Sequence, residues 1–293
     1  MRALIHDGQG KIRYTETLFV REPDKDEVLV RIVASGICHS DISVMNGTID
    51  WPTPAVLGHE GAGVITKVGS SVTGLAPGDH VVLHTLAYCG HCAHCDTGKP
   101  THCRSTLGNR SEPFTQDGET IANFAATSTF AEYTVVKQQQ AVKVHPDIPL
   151  DVACVVGCGV LTGLGSVLHR ANVATGDTAA VFGVGGVGLN VIQGLRLAGA
   201  RRIIAVDLLA AREDLARSFG ATDFINAAQE DVPARIREIL PDVLAWAAGV
   251  DWAFECSGSP VALQGAVASL GWGGTCIAVG TPKASATIEV PIL

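Results

Sequence analysis

The sequence lacks the features that mark several classes of protein. Acidic residues outnumber basic ones, 29 Asp and Glu against 21 Lys and Arg, which gives a net charge of -8 and no basic face for nucleic-acid phosphates. The apolar stretch 178–184 is broken by glycine, and no apolar run is long enough to span a bilayer. Residues 1–7 lack the apolar core of a signal peptide, and no internal repeat is present. We expect a cytoplasmic protein without nucleic-acid or membrane partners.

Apolar residues are plentiful, at 47% against 17% charged, and the 293 residues can bury a large core in two domains. In the first part, short runs with alternating apolar residues, such as Val28, Val30 and Ile32, are separated by glycine or proline. This pattern predicts an irregular antiparallel β domain over residues 1–158. Strands and helices then alternate, which predicts an α/β domain with a parallel sheet over residues 159–293.

Five strands are predicted in the second domain, at 179–182, 203–206, 223–225, 252–256 and 275–279. Helices are predicted between them, one ending near Gly199 and others at 211–219, 232–244 and 261–270. A complete dinucleotide-binding sheet has six strands. We therefore expect this domain to lack its last strand and to be incomplete at its C-terminal end.

Four cysteines with the spacing Cys-x2-Cys-x2-Cys-x7-Cys stand close together, at Cys89, Cys92, Cys95 and Cys103. Four thiolates can fill every position around a tetrahedral zinc ion. In a bacterial iron–sulfur run the fourth cysteine follows after three residues and precedes proline, whereas here seven residues intervene and Arg104 follows. Disulfides are disfavoured by the odd total of nine cysteines and by the absence of a signal peptide. The lobe at about 89–103 is therefore predicted to bind a structural zinc ion.

A glycine-rich turn in the second domain reads Gly183-Val184-Gly185-Gly186-Val187-Gly188 and fits the dinucleotide-binding pattern G-x-G-x-x-G. A predicted strand precedes it, a helix follows, and Asp207 ends the next strand. Gly183 would allow the tight turn, Gly185 the approach of a pyrophosphate, and Gly188 the packing of helix on strand. Asp207 would accept hydrogen bonds from the adenosine ribose and repel the extra phosphate of NADP, so NAD is the expected cofactor.

A second set of soft ligands is spread over the motifs Cys38-His39-Ser40-Asp41, Gly58-His59-Glu60-Gly61 and Gly157-Cys158-Gly159. Cys38, His59 and Cys158 offer two thiolates and one imidazole, which leaves a fourth zinc position for water or substrate. A single histidine or cysteine is usually an ordinary core or surface residue. The prediction of an open zinc site therefore depends on the three residues occurring together.

Taken together, these motifs resemble those of the zinc-dependent medium-chain alcohol dehydrogenases, the NAD-dependent type with two zinc ions. The resemblance covers essentially the whole chain, and the motifs follow the family's order from the Cys-x-Ser-Asp motif to the glycine-rich turn. It implies a GroES-like catalytic domain followed by a Rossmann-type cofactor domain. It also implies reversible oxidation of a primary or benzylic alcohol to an aldehyde, with hydride transfer to NAD, by a homo-oligomer, a dimer or tetramer if the chain is full length.

The resemblance also implies roles for individual residues. Cys38, His59 and Cys158 would bind the catalytic zinc, with Cys154 as a rival for the third position, and the four-cysteine lobe would bind the structural zinc. The metal lowers the pKa of the substrate hydroxyl in such a site.

Around the metal, Ser40 would hydrogen-bond the substrate oxygen and carry its proton away. Asp41 would fix the tautomer of His59, and Glu60 would lie behind the metal and tune ligand exchange. Ser43 stands where many relatives complete the proton relay with a histidine, so the last step of the relay stays open.

Cofactor and substrate contacts are implied in the same way. NAD would meet His39, Thr162 and Val187, while Arg212 could flank the adenosine or be an ordinary solvated charge. Thr85 and Phe124, with Ile49 or Trp51, would line an apolar substrate pocket.

Three alternative functions remain open at this point. One is a dehydrogenase for a thiol adduct of formaldehyde, and another is a truncated, catalytically silent protein that binds zinc and NAD. A zinc polyol dehydrogenase is disfavoured by the intact four-cysteine lobe and by Phe124 in the expected pocket.

Overall fold

The computed structural model describes residues 1–106, 108–241, 244, 247–282, 285 and 287–289. The chain divides into two compact units, Met1–Cys158 and Gly159–Leu293. Within the described residues, no single helix is long and apolar enough to cross a membrane. Only the consecutive helical pair Leu150–Gly157 and Gly159–Ala171 meets the requirements of length and composition when the two are taken together.

The first unit consists of short strands with few helical turns. Its described strands are β1 (Ala3–His6), β2 (Ile12–Thr15), β3 (Phe19–Val20), β4 (Glu27–Gly36), β5 (Ala55–Val56), β6 (Glu60–Val68), β7 (His80–Leu83), β8 (Phe114–Gln116), β9 (Glu119–Asn123), β10 (Tyr133–Lys137) and β11 (Ala141–Lys143). Its α-helices are α1 (His39–Met45), α2 (Ala93–Asp96) and α3 (Leu150–Ala153). Single 3-10 turns occur at Pro100–His102, Phe124–Ala126, Gln138–Gln140 and Cys154–Gly157.

Two sheets organise these strands. One has the order β10-β4-β6-β7-β11 and is antiparallel throughout. Val28 and Val30 on β4 are fully buried and Ile32 packs against the same apolar cluster, because alternate residues of a strand face the same side. The other sheet has the order β2-β1-β5-β9-β8-β3, with one parallel pair, β5 and β9. The antiparallel β domain predicted from alternating apolar residues is confirmed.

The second unit alternates strands with helices. Its described strands are β12 (Thr178–Phe182), β13 (Arg202–Asp207), β14 (Asp223–Asn226), β15 (Val250–Glu255) and β16 (Leu270–Ala278). Its α-helices are α4 (Gly159–Gly165), α5 (Gly186–Ala198), α6 (Glu213–Phe219), α7 (Val232–Ile239) and α8 (Pro260–Ala268). A π-helical turn at Ser166–Ala171 follows α4, and a 3-10 turn at Ala210–Arg212 precedes α6.

One parallel sheet with the order β14-β13-β12-β15-β16 forms the centre of this unit. Every residue of β12 is buried, because helices cover both faces of the sheet. Val181 on β12 belongs to an apolar cluster with Val191 and Leu195 of α5, whereas Phe182 joins a second cluster with Ile236 of α7. This strand order is that of the first five strands of a Rossmann sheet, so the predicted α/β class is confirmed.

All five predicted strands are present, but two predicted helices end earlier than expected. The helix predicted at 232–244 ends at Ile239, because Leu240 leaves the helical conformation at φ -124 and Pro241 follows it. Residues 242–243 of that prediction lie outside the described residues. The helix predicted at 261–270 ends at Ala268, because β16 already begins at Leu270.

Candidate active site

The ends of two paired strands bring Cys38 and His59 together. Strands β4 and β6 are antiparallel, and Gly36 at the end of β4 lies opposite Glu60 at the start of β6. Cys38 follows β4 as the N-cap of α1, and His59 immediately precedes β6. A side chain at Gly36 would not fit, since its Cβ would lie 2.2 Å from Oε2 of Glu60.

Cys158 reaches the same region from the end of the unit. The 3-10 turn Cys154–Gly157 packs against β4, β6 and β7. Gly157 sits tightly against β7, because a Cβ there would lie 2.0 Å from the carbonyl oxygen of Leu83. This packing places Cys158 beside the ends of the two strands that carry the other ligands.

Four side chains form a compact group of metal-binding atoms. The ligand atoms of Cys38, His59, Glu60 and Cys158 all lie within 4.8 Å of one another. His59 and Glu60 are buried, and the two cysteines are half-buried. The rival Cys154 is not in this group, and its thiol donates a hydrogen bond to the carbonyl of Asp151 at 3.3 Å.

Asp41 connects the parts of this site. Its Oδ2 accepts a hydrogen bond from the backbone N–H of Cys38 at 3.0 Å, and its Oδ1 accepts one from the N–H of Gly58 at 2.9 Å. The same Oδ1 lies 3.3 Å from Nδ1 of His59. Asp41 is 1% exposed, so these contacts form away from water. They leave Nε2 of His59 available to a metal.

The charges of the cluster depend on its short contacts. The neighbouring Cys158 thiol and the His59 ring lower the pKa of Cys38 to about 3, although burial opposes its ionisation. Burial disfavours the charged form of His59, but Asp41 and Cys38 outweigh it and raise the pKa of His59 to about 10. The contact that favours the thiolate of Cys38 raises the pKa of Cys158, so a metal that binds all three ligands must displace protons from Cys158 and His59.

The donor set of this cluster fits zinc. Thiolate sulfur and imidazole nitrogen are the ligands that zinc prefers, and two sulfurs with one nitrogen leave one of its four positions open. The carboxylate of Glu60 lies within the same group of ligand atoms. Such a site can hold zinc and still admit an oxygen ligand.

An aromatic wall stands beside His59. The ring of Phe124 meets the His59 ring edge-on at 5.5 Å between centroids, and the Trp51 ring meets Phe124 edge-on at 5.0 Å. Ile49 packs against the same apolar cluster, and the Arg110 guanidinium lies 5.2 Å from the centre of the Trp51 ring. The structure thus brings Ile49, Trp51 and Phe124 together.

Thr85 is the fourth residue predicted to line the pocket. It is half-buried and follows strand β7 by two positions.

The helix α1 carries three further predicted site residues. His39 is its first residue and is exposed. Ser40 follows, with Oγ 3.7 Å from Sγ of Cys38. Ser43 is buried, and its backbone carbonyl accepts a hydrogen bond from the N–H of Ile49 at 2.9 Å.

The four-cysteine lobe forms a second cluster. The sulfurs of Cys89, Cys92, Cys95 and Cys103 all lie within 4.8 Å of one another, with Cys92 and Cys95 at 3.6 Å and Cys89 and Cys103 at 3.7 Å. A tetrahedron with zinc–sulfur bonds of 2.3 Å has edges of about 3.8 Å, so these spacings fit one zinc ion. All four cysteines are free thiols. Four sulfurs fill every zinc position, so this site is closed to substrate.

The glycine-rich turn of the second unit joins β12 to α5. Gly183 has φ +91, a conformation that favours glycine, and a Cβ at Gly188 would lie 1.9 Å from the carbonyl oxygen of Gly183. A Cβ at Gly185 or Gly186 would meet no heavy atom within 4 Å. The start of a helix offers free N–H donors, so this open surface can accept a phosphate group.

Asp207 ends β13 and contacts the glycine-rich turn directly. Its Oδ2 accepts a hydrogen bond from the N–H of Val184 at 2.8 Å, and its Oδ1 accepts one from Leu209 at 3.0 Å. Two further predicted cofactor residues belong to the same unit. Thr162 is half-buried within α4, and Arg212 is exposed at the end of the 3-10 turn that precedes α6.

Sequence patterns did not identify one segment of the site, Asn123–Phe130, apart from Phe124. Thr129 packs on the start of β6 so closely that a Cβ at Gly61 would lie 2.3 Å from its Cγ2. The only signal in the sequence is the polar run Thr127-Ser128-Thr129, which interrupts apolar residues. All three of its side chains are buried.

Two family models match the chain. Residues 24–146 match the alcohol dehydrogenase GroES-like domain, and residues 186–293 match the zinc-binding dehydrogenases. The S-(hydroxymethyl)glutathione dehydrogenase of Escherichia coli is 42% identical over 289 residues, which cover 94% of this chain and 77% of that protein.

Solved structures are similar over nearly the whole chain. An alcohol dehydrogenase zinc-binding domain protein from Burkholderia ambifaria has a TM-score of 0.89 and 39% identity, covering 99% of this chain and 79% of that chain. The benzyl alcohol dehydrogenase of Acinetobacter calcoaceticus has a TM-score of 0.89 and 36% identity, covering 99% of this chain and 80% of that chain.

An open sulfur–nitrogen site, a closed four-sulfur site and a Rossmann-type sheet define a zinc-binding dehydrogenase. The chain belongs to the zinc-dependent medium-chain alcohol dehydrogenase family. It is an oxidoreductase that acts on alcohols with zinc and with NAD, the cofactor typical of the family. The predicted family, enzyme class, zinc and NAD are confirmed, and the number of two zinc ions per chain stays a prediction.

Proposed function

We propose that the chain oxidises primary and benzylic alcohols reversibly to aldehydes, with Cys38, His59 and Cys158 as the ligands of its catalytic zinc. The observation that carries this proposal is the group of ligand atoms within 4.8 Å, whose two sulfurs and one nitrogen leave one zinc position open. The aromatic wall beside His59 favours a substrate with an aromatic ring, because Phe124 and Trp51 offer apolar ring surface.

Residues of the chain have separate tasks in this reaction. Zinc in such a site lowers the pKa of the alcohol hydroxyl. Ser40, next to Cys38 in the helix α1, hydrogen-bonds the substrate oxygen and takes its proton. Asp41 holds the Nδ1 side of His59 and keeps Nε2 free for the metal, while Glu60 offers a carboxylate that tunes ligand exchange.

The sequence leaves the end of the proton relay open. The Ser43 side chain is buried in α1. We propose that Ser40 passes the proton on through the cofactor rather than through Ser43. Ser43→Ala should then leave the rate of proton release unchanged.

We propose that NAD binds the second unit at its glycine-rich turn. Gly185 and Gly186 leave space for the pyrophosphate at the start of α5, and Asp207 offers a carboxylate to the ribose. NAD accepts the hydride of the alcohol when bound. His39, Thr162, Val187 and Arg212 are proposed as further cofactor contacts.

A thiol adduct of formaldehyde is a second candidate substrate. It is favoured by the 42% identity to the S-(hydroxymethyl)glutathione dehydrogenase of Escherichia coli. The benzylic reading is favoured by the similarity to the benzyl alcohol dehydrogenase and by the ring contacts at Phe124. The two substrates require different binding groups in the protein. A glutathione adduct carries carboxylates, whereas the part of benzyl alcohol beyond its hydroxyl group is an apolar ring.

NADH formation with benzyl alcohol, ethanol, a polyol, and formaldehyde mixed with glutathione tests these readings in one series. We expect the highest kcat/KM with benzyl alcohol.

Cys38→Ser and Cys158→Ser should abolish turnover, whereas Cys154→Ser should keep it, because Cys154 lies outside the ligand group. Two zinc ions per chain without turnover on any substrate would support a catalytically silent protein and overturn the proposal.

Further expectations concern the chain as a whole. We propose that residues 1–158 are the catalytic domain, that 159–293 are the NAD-binding domain, and that the chain forms a dimer or tetramer. Light scattering during gel filtration measures the last of these. The free state of all nine cysteines supports a reducing location such as the cytoplasm.

A further inference from the structure

The backbone beside the aromatic wall is strained. Three residues other than glycine have positive φ within four positions: Ala125 at +50, Ala126 at +60 and Ser128 at +47. L-residues rarely adopt this conformation, because their Cβ crowds the backbone. Such residues persist only where the surrounding structure holds them, and they cluster at functional sites.

The hydroxyl of Ser128 holds this strained turn. It accepts a hydrogen bond from the backbone N–H of Phe124 at 2.8 Å. It also lies 2.7 Å from the carbonyl oxygen of Val56 and 2.7 Å from Oδ1 of Asn123, and it donates its one proton to one of them. Ser128 and Asn123 are both fully buried. Without the hydroxyl, the N–H of Phe124 would lose its partner in a place that water does not reach.

The same turn is fixed to the backbone just before His59. The N–H of Thr129 donates to the carbonyl of Gly58 at 2.9 Å, one residue before His59. A Cβ at Gly58 would lie 2.7 Å from Oγ1 of Thr129, so the two segments are in close contact at this point. The position of the Phe124 ring against His59 therefore depends on the backbone of the turn and on the contacts of the ring itself.

We propose that Ser128 is a positioning residue for the substrate. Ser128 fixes Phe124 beside His59 and so determines the preference of the site for aromatic over short aliphatic alcohols. This role rests on the proposed function. Ser128 does not touch the ligand atoms itself. It acts through the backbone of Phe124, whose N–H it holds, and the ring then forms one wall of the space next to the metal ligands.

Ratios of kcat/KM for benzyl alcohol and ethanol test this role. We expect Ser128→Ala to lower the benzyl-to-ethanol ratio about tenfold, since small displacements of a binding wall are costly. In a Phe124→Leu background, Ser128→Ala should change the ratio less than about twofold, because the ring through which it acts is gone. Zinc content should stay at the wild-type level in each variant.

Thr134→Val is the matched control. The Thr134 hydroxyl is also buried and donates to the carbonyl of Thr127 at 2.6 Å, but it does not hold Phe124. Its loss should lower the melting temperature and leave the ratio unchanged. Ser128→Gly also removes the Ser128 hydroxyl, and glycine accepts φ +47. This variant therefore replaces Ser128→Ala in the test if the alanine variant does not fold.

An unchanged ratio in Ser128→Ala or Ser128→Gly would overturn the role. An equal change in the wild-type and Phe124→Leu backgrounds would overturn it as well, since the effect would then not pass through the ring. If the wild type oxidises neither alcohol, the proposed function fails first, and the positioning role fails with it.

Discussion

Arg21 donates two hydrogen bonds to the carboxylate of Glu27, at 2.6 Å and 3.0 Å, although Glu27 is only 1% exposed. The Ser111 hydroxyl donates another at 2.6 Å, and the backbone N–H of Asp24 donates one at 2.8 Å. Burial alone would raise the pKa of Glu27, but these donors outweigh it and lower the pKa to about 2. The first unit therefore contains a buried charge that is fully hydrogen-bonded.

This pairing predicts a loss of stability in acid. The pKa of Glu27 is lowered from 4.5 to about 2 in the folded chain, so its contribution is present above pH 4.5 and is lost as the pH falls toward 2. A shift of this size corresponds to about 3 kcal/mol. Glu27→Gln should lower the melting temperature most at pH 5 to 7, and its difference from the wild type should shrink below about pH 4.5.

Glu22→Gln is the control for this measurement. Glu22 is an exposed carboxylate that pairs with Lys67 at 2.6 Å, and surface pairs of this kind contribute little. Its variant should follow the wild type at every pH. A Glu27→Gln deficit that stays constant from pH 7 to 3 would contradict the assignment of the acid-labile charge to Glu27.

Asp41→Asn should weaken zinc binding at the open site. Asp41 accepts from the N–H groups of Cys38 and Gly58 and faces the ring nitrogen of His59, so it acts only as an acceptor. An asparagine must turn its NH2 toward one of these donors. Changes of this kind beside a metal ligand cost about 10–100-fold in metal affinity.

Competition with a zinc chelator measures that affinity, with the closed site as an internal reference. Asp50→Asn is the matched control, because Asp50 is an exposed carboxylate in the loop after α1. Equal zinc affinity in Asp41→Asn and the wild type would show that the hydrogen bonds of Asp41 do not prepare the site.

Cys95→Ser should release the zinc of the four-cysteine lobe. The Cys92 and Cys95 sulfurs are 3.6 Å apart, as two ligands of one ion require, and a hydroxyl is a poor replacement for a thiolate. We expect the zinc content to fall by about one ion per chain and the melting temperature to drop. His94→Ala, in the same helix, should keep both zinc content and stability. Full zinc content in Cys95→Ser, measured by atomic absorption, would mean that the lobe binds no metal through this sulfur.

Two glycines of the glycine-rich turn should respond differently to substitution by alanine. At Gly188 a Cβ would lie 1.9 Å from the carbonyl oxygen of Gly183, so Gly188→Ala should destabilise the fold by roughly 2 kcal/mol or more. At Gly185 a Cβ meets nothing within 4 Å, so Gly185→Ala should keep stability but weaken NAD binding. Urea unfolding without cofactor and fluorescence titration with NADH separate the two effects. A Gly185→Ala variant that binds NADH like the wild type would argue against a phosphate at this surface.

Local patterns were enough to predict much of the fold. The strands of the second unit could be located because β12, β13 and β15 are short apolar runs separated by helices, as a parallel sheet requires. The helix ends were less predictable. The helix beginning at Val232 stops at Ile239, since Pro241 disfavours a helical residue before it, although apolar residues continue beyond.

The metal ligands could be predicted from residue type and spacing, but their assembly could not. The pairing of Gly36 with Glu60 and the packing of the turn Cys154–Gly157 show how residues from distant parts of the chain meet. Ser128 escaped prediction for a different reason: no propensity scale favours serine at φ +47, and this conformation is imposed by buried hydrogen bonds to residues far away in sequence.

The two oxygens of Asp207 are held by the backbone at Val184 and Leu209 before any ligand arrives. A carboxylate on a free side chain would lose rotational freedom on binding a ribose, and that entropy would weaken the complex. Here the freedom is already lost during folding. The turn and the acid are thus held rigidly in advance, and the proposed binding of NAD there would require little reorganisation of the protein.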